Sequence, residues 1–270
     1  MALVTVLDDI LDRKRDEVTV LRQPQTRDLL RRTALDAPPT RDFAGALRRA
    51  DGRVAVIGEL KRRSPSKGEL APGLDPGPAA KAYEAGGAAA LSVLTDRLFF
   101  GGAVEDLVAA RAATTLPVLR KDFTIDEIQV FEARAIGADA VLLIVAALPD
   151  DSLLADLHEA AIALGLAVIV EAHDAHEIDR ALAAGAAIVG VNNRDLATFA
   201  EDLGVGERLA ARLPASVVGV AESAVRVPGD AVRLGAVGFD AVLVGEALVR
   251  ADDPAGLVRD LGAARVNRRS

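Results

Sequence analysis

The chain has 270 residues, a formal net charge of -8, 51% apolar residues and only 3% aromatics. That acidic balance disfavours a general role on nucleic acid or on an anionic membrane, since both need a basic face. With no cysteine, a disulfide framework and thiol chemistry are excluded, and a cytoplasmic location is expected.

The opening "MALVTVLDDILDRKRDE" meets charged residues after a handful of apolar ones, so it reads as neither a signal peptide nor a membrane span. "VLDDILDRKRDEVTVL" predicts an amphipathic helix, "DAPP" a turn, and "TRDFAGALRRA" a second helix opened by Thr40. The basic clusters Arg13-Lys14-Arg15 and Arg268-Arg269 read as solvated helix and tail.

Eight short apolar runs then alternate with Ala-rich helical segments: "VAVIGELK", "AAALSVLT", "LPVLRKDF", "ADAVLLIVAA", "LAVIVEAH", "AAIVGVNN", "SVVGVAES" and "DAVLVGEA". Runs apolar on both faces predict strands covered on both sides, joined as βαβ units in a parallel sheet. The phrases "EAGGAAALSVL", "RAIGADAVLLI", "LAAGAAIVGV" and "GAVGFDAVLV" repeat a Gly at a helix end before a strand, at intervals of about fifty residues, or two βα units. The expected fold is a (β/α)8 TIM barrel over residues 54–264 with an N-terminal helical extension over 1–50, one domain spanning 1–270. A doubly wound open sheet is the alternative, but neither GxGxxG nor GxxxxGK[ST] occurs.

In such a barrel the chemistry sits where strands end. The runs close on Glu59 and Lys61, Lys121, Glu171, Asn192 and Arg194, Glu222 and Ser223, and Gly245 and Glu246. Alternation puts Glu59 with Lys61, and Leu119 with Lys121, on one face and Arg120 on the other. Ionisable groups gathered over an apolar cavity imply pairing and use, so Lys121 is a candidate proton donor to a substrate oxygen. The loop "KRRSPSKGEL" offers hydroxyls at Ser64 and Ser66, a turn at Gly68 and charge from Lys61 and Lys67, a set suited to phosphate. Its Ser64-x-x-Lys67 spacing matches that of penicillin-recognising serine enzymes, but Ser-Asp-Asn and Lys-Thr-Gly are both lacking. "AESAV" and "VGEAL" each lead toward a helix, whose backbone N–H groups suit the same anion; Arg194 either joins them or pairs with Asp195. His173 and His176 read as helix-start, solvent-exposed residues, and His158 as exposed; no metal is expected.

On these residues the chain resembles the indole-3-glycerol-phosphate synthases, barrels of tryptophan biosynthesis, nearly end to end. The resemblance rests on "LDDILDRKRDEV", "GELKRRSPSKG", "LTDRLFFGGAVEDL", "LPVLRKDF", "GADAVLLIVAAL", "VIVEAHD", "VGVNNRDLATF", "VAES" and "VLVGEAL" in this order. It implies a lyase that converts 1-(2-carboxyphenylamino)-1-deoxyribulose 5-phosphate to indole-3-glycerol phosphate, CO2 and water, with no metal or organic cofactor. By resemblance Lys121 is the general acid, Lys61 holds the substrate carboxylate and shares in proton delivery, Glu59 tunes Lys61, and Glu171 is the base for dehydration. Asn192, Glu222 and Ser223 would orient hydroxyls and catalytic groups. Phe100, Phe123 and Leu142 would line an aromatic slot, and Ser64, Arg194 and the backbone around Ala224, Gly245 and Glu246 would hold phosphate. Two positions depart from the family pattern: Ala224 replaces the glycine usual after Glu-Ser, and Glu246 stands where some relatives carry serine. The expected partner is a phosphorylated small molecule, with no nucleic acid and no membrane, for a monomer or weak homo-oligomer. Two other readings keep the barrel: a paralogue that binds such a metabolite with little turnover, and an aldolase-type enzyme with Lys121 as a Schiff-base nucleophile.

Overall fold

The computed structural model describes residues 5–195 and 198–269. Leu196 and Ala197, inside the quoted "NNRDLATF" stretch, lie outside the described residues, as do the first four residues of the opening segment and the last of the chain.

Each of the eight apolar runs forms a strand: β1 (Ala55–Leu60), β2 (Ala90–Leu94), β3 (Val118–Lys121), β4 (Ala140–Ile144), β5 (Ala167–Ala172), β6 (Ile188–Asn192), β7 (Val218–Glu222) and β8 (Ala241–Val244). All pair in parallel with their sequence neighbours, and β1 pairs with both β2 (Ile57 opposite Ala90) and β8 (Ala55 opposite Ala241), which closes the barrel. Closure leaves no sheet edge open.

The side-chain period of two divides each strand. Ala55, Ile57, Leu119, Leu142, Ile169, Val220 and Leu243 fill the interior, while Val56, Val93, Val118, Leu143 and Val170 pack outward under the helices. A fully buried Leu or Ile contributes about 1.5–3 kcal/mol of transfer free energy, so the two layers hold the register firmly. A one-residue slip would exchange them.

Local chemistry sets the connections. The repeated glycines Gly87, Gly137, Gly185 and Gly238 all adopt positive φ (87–99°), where a side chain would be strained, and turn the chain from a helix into the next strand. Asp75, Asp126, Asp150, Asp174, Asp202 and Asp253 each accept a backbone N–H at a helix start. A two-residue ribbon, Arg63–Ser64 with Gly68–Glu69, folds the loop after β1.

The N-terminal segment differs in detail from the sequence expectation. Its first helix, α1, covers Val6–Leu21, but α2 (Pro24–Asp36) is a further helix that Pro24 starts, and α3 (Phe43–Leu47) is capped by Asp42, not Thr40. Thr40 instead donates its hydroxyl to the Gly165 carbonyl at 2.7 Å. Two basic residues expected in solvent are sequestered. Lys14 is 2% exposed, and Arg269 donates to Asp240 and the Val217 carbonyl at 2.7 and 2.6 Å.

Candidate active site

One cavity opens at the C-terminal ends of the strands, and Glu59, Lys61, Phe100, Lys121, Phe123, Leu142, Glu171, Asn192, Arg194, Glu222, Ser223 and Gly245 all line it. Ser64, Ala224 and Glu246 are next to lining residues in the chain but do not themselves line it.

Inward alternation brings the acid–base groups together. Lys121 ends β3 and donates to Glu171 Oε2 at 2.7 Å from β5 and to Glu222 Oε2 at 2.8 Å from β7. Asn192, at the end of β6, donates to the other Glu171 oxygen at 2.9 Å. Lys61 pairs with Glu59 Oε1 at 2.5 Å. Arg120, on the opposite face of β3, points away into a pair with Glu132 at 2.7 Å.

The charges set one another. Burial opposes the Lys121 ammonium, but Glu171, Glu222 and Glu59 outweigh it and raise its pKa, so the lysine stays protonated. Burial also opposes the Glu171 carboxylate, yet Lys121 and then His173 hold it well below the usual carboxyl range. Glu222 moves the other way. Burial, with Glu171 repelling a second negative charge and only Lys121 opposing, pushes its carboxyl up to about 7. The site thus holds a protonated ammonium, an ionised carboxylate and a carboxyl poised near neutrality within hydrogen-bond reach.

Two glycines make room for these groups. A Cβ at Gly190 would collide with Glu222 Oε1, and one at Gly245 with Glu59 Oε1. Gly245 therefore serves the Glu59–Lys61 pair as well as the loop after β8.

The apolar wall assembles from separate loops. Phe100 ends the short helix Arg97–Phe100 after β2, Phe123 lies two residues past Lys121, and Leu142 points inward from β4. The two rings stand 6.2 Å apart, tilted by 37°. Val6, Leu7 and Ile10 of α1 also line the cavity, a contribution that the sequence reading missed.

Around the expected phosphate end, Arg194 bonds Glu201, not Asp195, and reaches Ser66 Oγ at 3.3 Å, which ties the loop after β6 to the loop after β1. Ser64 is buried and accepts the Lys67 amide at 3.3 Å. Ser223 and Ala224 both have φ of 62°, so Ala224 holds the backbone shape of the glycine it replaces. The chain after β7 runs through a loop before the helix Pro228–Ala236, so Ser223 does not cap it, whereas β8 enters the short helix Glu246–Val249 through Gly245. The Glu246 carboxylate faces Arg250 at 3.6 Å.

The histidines differ from expectation. His176 is exposed, but His158 is half-buried, and His173 turns inward beside Glu171. Period two along "EAH" places His173 on the Glu171 face, a signal present in the sequence. Among the described residues no group of three or more His, Cys, Asp or Glu is arranged to hold a metal ion, and no helix is long and apolar enough to cross a membrane.

Against known proteins, residues 7–261 match the family model described as indole-3-glycerol phosphate synthase. A protein of that name from Kineococcus radiotolerans is 49% identical over 264 residues, covering 97% of this chain and 96% of the relative. One from Aromatoleum aromaticum is 50% identical over 260 residues, covering 95% and 98%. Among solved structures, 3-hexulose-6-phosphate synthase aligns with a TM-score of 0.60 at 22% identity, over 79% of this chain and all (100%) of the other. Thiamine phosphate pyrophosphorylase from Pyrococcus furiosus aligns at 0.58 and 18% identity, over 77% and 93%. These two likenesses concern the fold alone.

Proposed function

The chain belongs to the indole-3-glycerol phosphate synthase family, and from that premise we propose that it closes the indole ring of 1-(2-carboxyphenylamino)-1-deoxyribulose 5-phosphate, releasing CO2 and water, by acid–base chemistry in the cavity at the barrel mouth. The observation that carries this reading is the Lys121 ammonium held between Glu171 and Glu222 beside an apolar slot.

The anthranilate ring packs between Phe100, Phe123 and Leu142, where burial of aromatic area favours it over water. Lys61, steered by Glu59, takes the substrate carboxylate and shares in proton delivery. Lys121 gives a proton to the ketone oxygen as the ring carbon attacks the carbonyl carbon, so charge on that oxygen never builds up unpaired. The carboxylate then leaves as CO2 and its electron pair restores the aromatic ring. A second proton takes the hydroxyl off as water, while Glu171 removes a proton from the substrate skeleton. Asn192 fixes the Glu171 carboxylate, and Glu222 with Ser223 orients the hydroxyls. Ser64, Arg194 and the backbone at Ala224, Gly245 and Glu246 hold the phosphate, a set made of charge and N–H groups. The protein is one domain, extension 1–50 and barrel 54–264, acting in the cytoplasm as a monomer or weak homo-oligomer on a phosphorylated small molecule.

The test is stoichiometry: purified protein with this substrate, in the presence of a metal chelator, should release one CO2 per indole formed. Substrate that binds tightly without gas release would replace this reading with a binding paralogue. A borohydride-trapped adduct on Lys121 would replace the general acid with a Schiff-base nucleophile.

A further inference from the structure

The proton count of the reaction leaves a net demand that Lys121 and Lys61 can pass on but that must be renewed from solvent at each turnover. The ketone oxygen departs as water and so takes up two protons, while the substrate skeleton gives back one. Each turnover thus draws one proton from solvent into a site whose acid, Lys121, and base, Glu171, are little exposed, with side-chain exposures of 15% and 3%, and line the cavity that the substrate occupies during turnover.

His173 stands between them and a second opening. Its Nε2 is buried, makes no hydrogen bond, and faces Glu171 Oε1 at 3.5 Å, the oxygen turned away from Lys121. Its Nδ1 lies 3.0 Å from Glu177 Oε2, which also accepts the His173 backbone N–H at 2.7 Å, and this pairing sets the resting direction of the ring. A second cavity, which shares Asn192 and Arg194 with the first and is also lined by Ala146, His173, Glu177, Asp195 and Val205, opens beside it.

We propose that His173 is the port through which solvent protons reach the Glu171–Lys121 pair, acting through Glu171 without touching substrate. The inference rests on the base role given to Glu171 above. After Lys121 has protonated the ketone oxygen, the His173 cation breaks its Nε2–H bond and an Oε1–H bond forms on Glu171. A half-turn of that carboxyl carries the proton to neutral Lys121, 2.7 Å away, and Glu171 is a carboxylate again. Lys121 then protonates the departing hydroxyl, Glu171 takes the skeleton proton and returns it to Lys121, and the neutral His173 ring turns so that its bare Nε2 takes a new proton from the second cavity before it swings back to Glu171. The books balance at one solvent proton per turnover.

The groups facing His173 suit a proton donor. Glu171 on its own strand, Glu177 from the helix Ala175–Ala183 and Glu222 from β7 favour its cation, and Arg194 and Asp195 share the cavity wall. Burial opposes that cation, but the Glu177 bond and the neighbouring carboxylates prevail and raise its pKa. The port is therefore loaded below that raised value and empties as pH rises through it.

The experiment is kcat of His173→Asn in dilute buffer, then with rising imidazole at constant pH and ionic strength. The expected result is a loss of about tenfold or more in kcat with KM little changed, a loss that imidazole reverses. A wild-type kcat, or a loss that imidazole leaves untouched, would overturn the proposal. Should His173→Asn fail to fold, Glu177→Gln replaces it: the alkaline limb of kcat should move to lower pH, and an unmoved limb overturns the proposal equally. Glu171→Gln separates the two layers of inference, since full turnover in that variant removes the base role itself, whatever His173 does.

Discussion

Lys14→Met is the substitution whose cost the structure defines most closely. Lys14 Nζ, 2% exposed, sits 2.9 Å from both Asp96 and Asp122 and 2.8 Å from Glu17, and so pins α1 to the loops after β2 and β3. Removing one partner of a buried ion set leaves its other charges uncompensated, at about 3–5 kcal/mol. Here Asp96 keeps the Phe99 amide at 2.7 Å, and Asp122 keeps Thr95, the Phe123 amide and Arg120 at 2.5, 2.8 and 3.3 Å. The loss should therefore fall near the lower end, about 3 kcal/mol, or roughly 6–12 °C in Tm at about 2–4 °C per kcal/mol. Urea unfolding reads it as a lower midpoint at unchanged slope. Since α1 carries Val6, Leu7 and Ile10 into the cavity, KM should rise as well. The pH dependence has a definite sign. Burial opposes the Asp122 carboxylate, but Arg120 and Lys14 hold its pKa low, so its stabilisation is present above the ordinary carboxyl range and lost as pH falls through the lowered value. Without Lys14, acid unfolding should begin at higher pH. A loss under about 1 kcal/mol with wild-type KM would refute the claim that this ion set seats the helix.

Three further outcomes are expected. Arg194→Ala should weaken binding of the phosphorylated substrate far more than of its dephosphorylated analogue; equal effects in calorimetry would take Arg194 out of the phosphate site. Ala224→Gly removes a side chain from a positive-φ position and should stabilise by roughly 0.5–1 kcal/mol in chemical unfolding, with a neutral or negative change contradicting the strain. Carbon-detected NMR of the free protein should show a carboxyl in the Glu171–Glu222 pair taking a proton as pH falls through about 7, well above ordinary glutamates. Only ordinary glutamate titrations would contradict the coupling.

The barrel was legible because its signals are local and repeated: apolar runs, and a glycine at each Gly87-like turn. The convergence of Glu59, Lys121, Glu171, Asn192 and Glu222 on one mouth was legible because strand period and barrel closure force it. What escaped depended on pairing across the chain. Lys14 sits in a basic triplet that suggests solvent, yet it shares the helical stripe of Leu7, Ile10, Leu11 and Val18, and its aspartates arrive from two barrel loops. His173 reads with His176 as a solvent-exposed residue of a helix start, when its meaningful neighbours are Glu171 two residues before it and Glu177 four after. The role of α1 as a cavity wall has no sequence signature, since an apolar stripe does not name the surface it covers. For Arg194 the sequence leaves open an anion contact or a pair with Asp195 and does not point to Glu201, which it meets because Arg194 and Glu201 form a backbone bridge.

The most direct measurement of the central claim is the growth of indole fluorescence from the carboxyphenylamino-deoxyribulose phosphate, comparing the wild-type chain with Lys121→Ala. The chain has no Trp, so the product signal rises from a dark background. Steady growth is expected in the wild type and a kcat lower by about 10²- to 10⁴-fold in the variant, with KM little altered. Equal rates in the two proteins would contradict the placement of the general acid at the end of β3.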